Sequence, residues 1–187
     1  MHESNNPSAI RSQKEITRAL MNLMRTNPYG EITVKQILIE SKLARKTFYR
    51  NFDSKDDVLY SYINHCLHDY FDVVNNAEAD VLTTIFSFAD KYKKMLLLLD
   101  KNDMLHIMLR CMNEFSSTML EQQNKYLNPF VKLFAGLESE YLVALNIGAI
   151  WNVIALWIKR GMKESPDEVR QTIEEYIKRI GQTVAFS

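Results

Sequence analysis

Residues 33–55 read TVKQILIESKLARKTFYRNFDSK, and this stretch decides the fold. It describes a short helix, a tight turn, a second short helix and the start of a third. Thr33 can cap the first helix with its hydroxyl while Gln36 reaches back, and Val34, Ile37 and Leu38 form its inward face. The second helix, over 45–52, carries Arg45, Lys46, Thr47, Tyr49, Arg50 and Asn51 outward, with Phe48 and Phe52 inward. Leu43 in the turn joins Ile37, Phe48 and Phe52 in a small core. A narrow cationic face with hydrogen-bonding groups, backed by two aromatic anchors, is what the major groove of a DNA duplex accepts.

The flanks agree with that reading. Upstream, 12–26 place Ile16, Leu20, Leu23 and Met24 on one helical face, and Asn27-Pro28 stops the helix because the residue before proline disfavours the helical region. Downstream, Ser54 caps a long helix with Asp56 and Asp57 in its first turn and a stripe from Val58 to Val74. Further helices are predicted over 80–92 and 93–99 (or one bent helix across both), then over 104–125, 130–134 and 138–160. Ser165-Pro166-Asp167-Glu168 opens a last helix, and Gly181 is expected to end it. With five glycines, four prolines and no strand-like alternation, the fold class is all-α.

Net charge is zero, which alone argues against a nucleic-acid binder. Its distribution does not. Residues 1–52 hold nine Lys/Arg and four acids, a net +5, so the remainder carries −5. A basic head and an acidic body suit a protein that presents one end to phosphate. Cys66 and Cys111 have no zinc-like spacing, and reduced thiols in the cytoplasm are the expectation. The N-terminus lacks an apolar signal core. Residues 141–158 are free of charge, but Asn146 and Asn152 lie within them and no second span exists. They read as a buried or dimer-forming helix, with no membrane partner.

At this point the sequence resembles the TetR family of bacterial transcriptional regulators. The matching residues are Ile32-Thr33-Val34 with Ile37, then Leu43, then Thr47-Phe48-Tyr49-Arg50-Asn51-Phe52, then Lys55-Asp56-Asp57 and Leu59. The resemblance implies a three-helix helix-turn-helix head over 1–53, joined by a long helix to a larger helical ligand and dimerisation domain over 54–187. It implies that Thr33 meets a phosphate at a helix N-terminus, where unpaired N–H groups favour an anion. Arg45, Lys46 and Thr47 would face base edges or adjacent phosphates, and Tyr49 would donate its hydroxyl to a phosphate. Asn51 stands where the family usually has a histidine that contacts the backbone, and Lys55 would set its ammonium against the phosphate chain. Lys42, Lys46 and Arg50 crowd together with no acid between Glu40 and Asp53, which favours phosphate. Departures from the family pattern are Leu38 and Ser41 in place of alanines, Lys42 in place of a turn glycine and Ala44 in place of a capping serine. Lys42 is costly if the turn is left-handed, and Ala44 costs about 0.5–2 kcal/mol of helix stability.

The body is rich in methionine and aromatic residues. Each reads first as core, and as a group they allow a pocket for an apolar or amphipathic ligand near Cys66, Met108, Cys111, Phe115 and Trp151. The helix over 138–160 is apolar nearly all round. With the last helix it offers a homodimer surface through Ile147, Ile150, Ile154, Trp157, Val169, Ile173, Tyr176 and Ile177. His65 and His68 lack a third ligand and read as solvated side chains, so neither a metal nor another cofactor is expected. No enzyme-like constellation stands out. The expectation is a homodimeric regulator, a repressor by the family's usual sign, that binds a palindromic site on double-stranded DNA and answers to a small ligand. The alternative is a protein–protein co-regulator of the same fold with weak or no DNA binding, which the departures at Lys42 and Ala44 keep open.

Overall fold

A computed structural model describes residues 6–76, 81–121 and 139–184. Among these residues the secondary structure is helical, with no strand, as the all-α reading requires. The chain forms two compact units, Met1–Cys66 and Leu67–Ser187. The first therefore extends past the 53/54 boundary read from the sequence, taking in the start of the long helix.

In the first unit, α1 spans Pro7–Met24, a 3₁₀ turn covers Tyr29–Glu31, α2 spans Val34–Ser41 and α3 spans Arg45–Asn51. The long helix α4, Lys55–Asn76, begins here. Helix α1 starts earlier than its apolar stripe suggests. Asn6 accepts from the Ser8 N–H and Pro7 takes the first helical position, where no donor is needed. Packing of α1 on α2 and α3 buries Ile16, Leu20, Met24, Ile37 and Phe48 completely. Val58, Leu59 and Ile63 of α4 are fully buried as well. Each large apolar side chain removed from water contributes about 1.5–3 kcal/mol, and this shared core explains why the unit runs beyond residue 53.

The second unit contains the rest of α4, then α5 (Val81–Lys91), α6 (Lys93–Lys101), α7 (Leu105–Glu121), α8 (Ser139–Lys159) and α9 (Pro166–Val184). A turn at Tyr92 makes α5 and α6 two helices. The helix expected over 130–134 lies outside the described residues. Helices α6 and α7 pack on α8, and α5 packs on α9. At the core, the Phe86 and Trp157 rings lie 5.8 Å apart. The α8–α9 link turns through left-handed backbone at Gly161 (φ 81°) and Met162 (φ 49°). The link is held by Lys93 Nζ donating to the Met162 carbonyl at 2.7 Å and Trp157 Nε1 donating to the Glu164 carbonyl at 3.1 Å. Ser165 and Glu168 form the expected capping box, and the Ser165 N–H and hydroxyl that donate to the Glu168 carboxylate hold it below its ordinary pKa. Gly181 does not end α9, which continues to Val184. A glycine inside a helix costs only about 1 kcal/mol, too little to stop a capped, amphipathic helix by itself.

By length and composition, Glu140–Lys159 of α8 is apolar enough to cross a membrane. Within its own chain its burial is one-sided, although its apolar composition suggested burial on several sides. Ile150, Trp151, Ile154, Trp157 and Ile158 are buried, whereas Tyr141, Leu145 and Leu156 on the other side are 75%, 57% and 52% exposed.

Candidate nucleic-acid interface

Helix α2 begins with the capping box read from the sequence. The Gln36 N–H donates to Thr33 Oγ1 at 3.3 Å, and the Thr33 N–H donates to Gln36 Oε1 at 2.8 Å. Thr33 stays exposed at that N-terminus. The turn after α2 places Lys42 in left-handed backbone, φ 56° and ψ 31°, where glycine is the least strained residue. Ala44 follows as the N-cap of α3, and it supplies no side-chain hydrogen bond.

Helix α3 has two distinct faces. Phe48 and Phe52 are 0% and 3% exposed, their rings 6.2 Å apart. Arg45, Lys46, Tyr49 and Arg50 are exposed, and Thr47 is half-buried. The Tyr49 ring meets Phe48 edge-on at 5.3 Å, and the Arg45 guanidinium carbon lies 5.5 Å from the Tyr49 ring centre. The outward face is thus cationic and anchored through Tyr49 to the core.

Two residues expected on the DNA-facing surface are engaged elsewhere. Asn51 is 3% exposed, and its Nδ2 donates to the Thr47 carbonyl at 2.7 Å. At 100° per residue, Asn51 and Arg45 each lie about 60° from Phe48 around the helix. The long arginine escapes to solvent; the short amide folds back on its own backbone. Lys55 is likewise engaged within the protein. Its Nζ donates to the carbonyls of Tyr29 (2.7 Å), Ile32 (2.8 Å) and Gly30 (3.3 Å) and lies 4.6 Å from the Tyr29 ring centre. An ammonium has three donors, and these carbonyls take all three. The Tyr29 hydroxyl donates to Asp56 Oδ1, so the first turn of α4 is clasped to the 3₁₀ turn before α2. Burial raises the Tyr29 pKa, and the Asp56 carboxylate raises it further. Sequence reading missed Tyr29 and gave Asp56 a helix-dipole role and a place in the family motif, but no partner. The available signal was an aromatic residue at the 28–32 turn with an acid and a lysine together at the start of α4.

The body residues separate differently. Cys66 belongs to the first unit, while Met108, Cys111 and Trp151 are closed core of the second, 1%, 0% and 7% exposed. The side chain of Phe115 lies outside the described residues. Burial pushes the Cys111 thiol up to about 11 against the opposing charge of Arg110, and burial pushes the Tyr62 hydroxyl up to about 12. Of the residues read as a dimer surface, Ile150, Ile154, Trp157 and Ile173 face the interior of their own unit. The phase of the three on α8 was invisible because that helix is apolar on every side, whereas Ile173 lies on the apolar stripe of α9, which packs on α5. Ile147, Val169 and Ile177 are half-buried, and Tyr176 is 64% exposed.

Comparison with known proteins now adds to this geometry. Residues 76–179, more than half of the chain, match the family model of a TetR-type transcriptional regulator C-terminal region. The chain is 24% identical over 165 residues to the HTH-type dhaKLM operon transcriptional activator DhaS of Lactococcus lactis, covering 84% of each protein. Among solved structures, a TetR transcriptional regulator from Streptococcus agalactiae aligns with a TM-score of 0.61 at 15% identity, over 92% of this chain and 95% of that one. A structure of the dihydroxyacetone kinase operon activator DhaS aligns with a TM-score of 0.54 at 24% identity, over 91% and 96%. The solved structures share the all-helical arrangement, and the family model covers most of the body. The chain belongs to the TetR family of transcriptional regulators.

Proposed function

We propose that this regulator acts in the cytoplasm as a homodimer, inserting α3 of each subunit into a major groove of a palindromic operator. The observation that carries the reading is the exposed set Arg45, Lys46, Tyr49 and Arg50, held outward on a helix whose other side is sealed by Phe48 and Phe52. Thr33 and Lys42 flank it as phosphate contacts, and Thr47 joins the base-facing row. The DNA head read from the sequence over 1–53 takes in the start of α4 up to Cys66, and the rest of the chain serves as the ligand and dimer domain. The dimer surface is the outward side of α8 and α9. Tyr141, Leu145, Leu156, Tyr176 and Ile180 are large, apolar and exposed there, supporting association with a second copy. A small apolar or amphipathic ligand in the body modulates operator affinity, with the continuous helix α4 as the covalent route to the head.

The sign of regulation has two readings. Resemblance to the family implies repression relieved by ligand. The DhaS relative is named as an activator, which favours activation. In-vitro selection of duplex DNA with the full-length protein tests the core of the proposal. A palindrome with half-sites about 34–36 Å apart or somewhat wider is the expected product. Failure to retain any duplex at low salt, with the protein folded, would leave the co-regulator reading in its place. Transcription from a template carrying the selected operator then distinguishes repression from activation.

A further inference from the structure

We propose that Arg45 reads a guanine in each operator half-site, with the Tyr49 ring as the shelf that positions its guanidinium. The inference rests on α3 being the recognition helix. Arg45 is the first residue of α3, and the N-terminal residues of a recognition helix approach base edges most closely. A guanidinium is a planar fork whose paired donors match guanine O6 and N7 together, whereas the Lys46 ammonium is a point charge without that geometry.

Arginine usually surrenders considerable side-chain freedom when it docks. Here the Arg45 guanidinium carbon is 5.5 Å from the Tyr49 ring centre, one helical turn along the same face. The shelf is itself fixed, because the Tyr49 ring packs edge-on against Phe48 at 5.3 Å with 76° between the planes, and Phe48 is 0% exposed. The fork is therefore held near the groove-facing side before DNA arrives. This divides Tyr49 into two functions. Its ring positions Arg45, and its hydroxyl remains available to a phosphate.

The test is selection and titration of full-length protein on duplex libraries, comparing Arg45→Ala, Arg45→Lys, Tyr49→Phe and Tyr49→Ala with the parent. The parent should select guanine at one symmetric position per half-site. Arg45→Ala and Arg45→Lys should reduce discrimination at that position by roughly 10–100-fold and leave other positions unchanged. Arg45→Lys should also preserve the salt dependence of binding, separating loss of the fork from loss of charge. Tyr49→Phe should weaken all sequences alike yet keep the guanine preference, whereas Tyr49→Ala should also erode that preference. Circular-dichroism melts establish that each variant is folded. Uniform weakening by Arg45→Ala, with a shallower salt slope and no change in base preference, would make Arg45 a phosphate clamp and overturn the proposal while leaving operator binding intact. If the folded parent retains no duplex, the recognition-helix reading fails, and this inference fails with it.

Discussion

Lys46 and Lys55 lie in the same unit and carry the same side chain, yet the structure uses them in opposite ways. Lys46 is exposed on α3. Lys55 spends its three donors on the carbonyls of Tyr29, Gly30 and Ile32. Both match positions associated with DNA in the family pattern. What separates them is whether the donors are already satisfied, since a side chain must break existing bonds before it can make new ones. The comparison also separates two kinds of importance. One lysine stands exposed on the proposed DNA-facing surface, and the other fixes the body of the head that presents that surface.

The largest effect belongs to the buried side of α3. Phe48→Ala should cost about 3–5 kcal/mol, the usual range for truncating a sealed aromatic residue, and denaturant unfolding measures it. DNA binding should fall with the folded fraction, because Phe48 is the fully buried member of the aromatic pair that holds the cationic row outward. If Phe48→Ala kept both stability and binding, the wedge would not be what organises α3.

The two lysines give the next and sharpest contrast. Lys55→Met removes three donors to carbonyls, and a net loss of about 2 kcal/mol of head stability is expected from charge-assisted hydrogen bonds that are partly solvated. The slope of log affinity against log salt should not change, because no phosphate contact is lost. Lys46→Met should do the reverse, leaving stability within about 0.5 kcal/mol and reducing the salt slope by about 1. A shallower slope for Lys55→Met, with an unchanged melt, would return Lys55 to the phosphate backbone.

The body contributes an alkaline limit of smaller size. Cys111 titrates at about 11 in the folded chain against 9.0 for the free thiol. Between those values the unfolded chain releases a proton that the native state keeps. Stability from this group is therefore complete below about pH 9 and declines as pH rises toward 11. Melting temperatures across that range should fall, and Cys111→Ala should flatten part of the decline. An unchanged slope in Cys111→Ala would assign the decline to other groups.

The features legible in the sequence are those whose partners are neighbours in the chain. The Thr33–Gln36 and Ser165–Glu168 boxes link residues three apart, and the inward phase of Phe48 and Phe52 follows from helical spacing. The clasp was not legible because it joins Lys55 to carbonyls more than twenty residues earlier, with separations of 23 to 26. Nor was the inward side of α8, since a helix apolar all round has no phase to read. Helix α1 was a different kind of miss. The signal of Asn6 and Pro7 was present but stood ahead of the apolar stripe that defined the helix.

The turn between α2 and α3 supports the finest comparison, because its two departures from the family pattern have different remedies. Ala44 has an extended backbone, φ −72° and ψ 148°, at an N-cap without a side-chain acceptor. Ala44→Ser should stabilise the head by about 1 kcal/mol, with no necessary change in affinity. Lys42 carries strain, but its exposed ammonium also belongs to the proposed phosphate-binding surface. Lys42→Gly relieves the left-handed backbone while giving the unfolded chain more freedom, for a net gain of about 0.5 kcal/mol. If the lysine is retained for phosphate, that slightly more stable variant should bind DNA more weakly and with a shallower salt slope. Equal or tighter binding by Lys42→Gly would remove Lys42 from the interface and leave its strained backbone without a function.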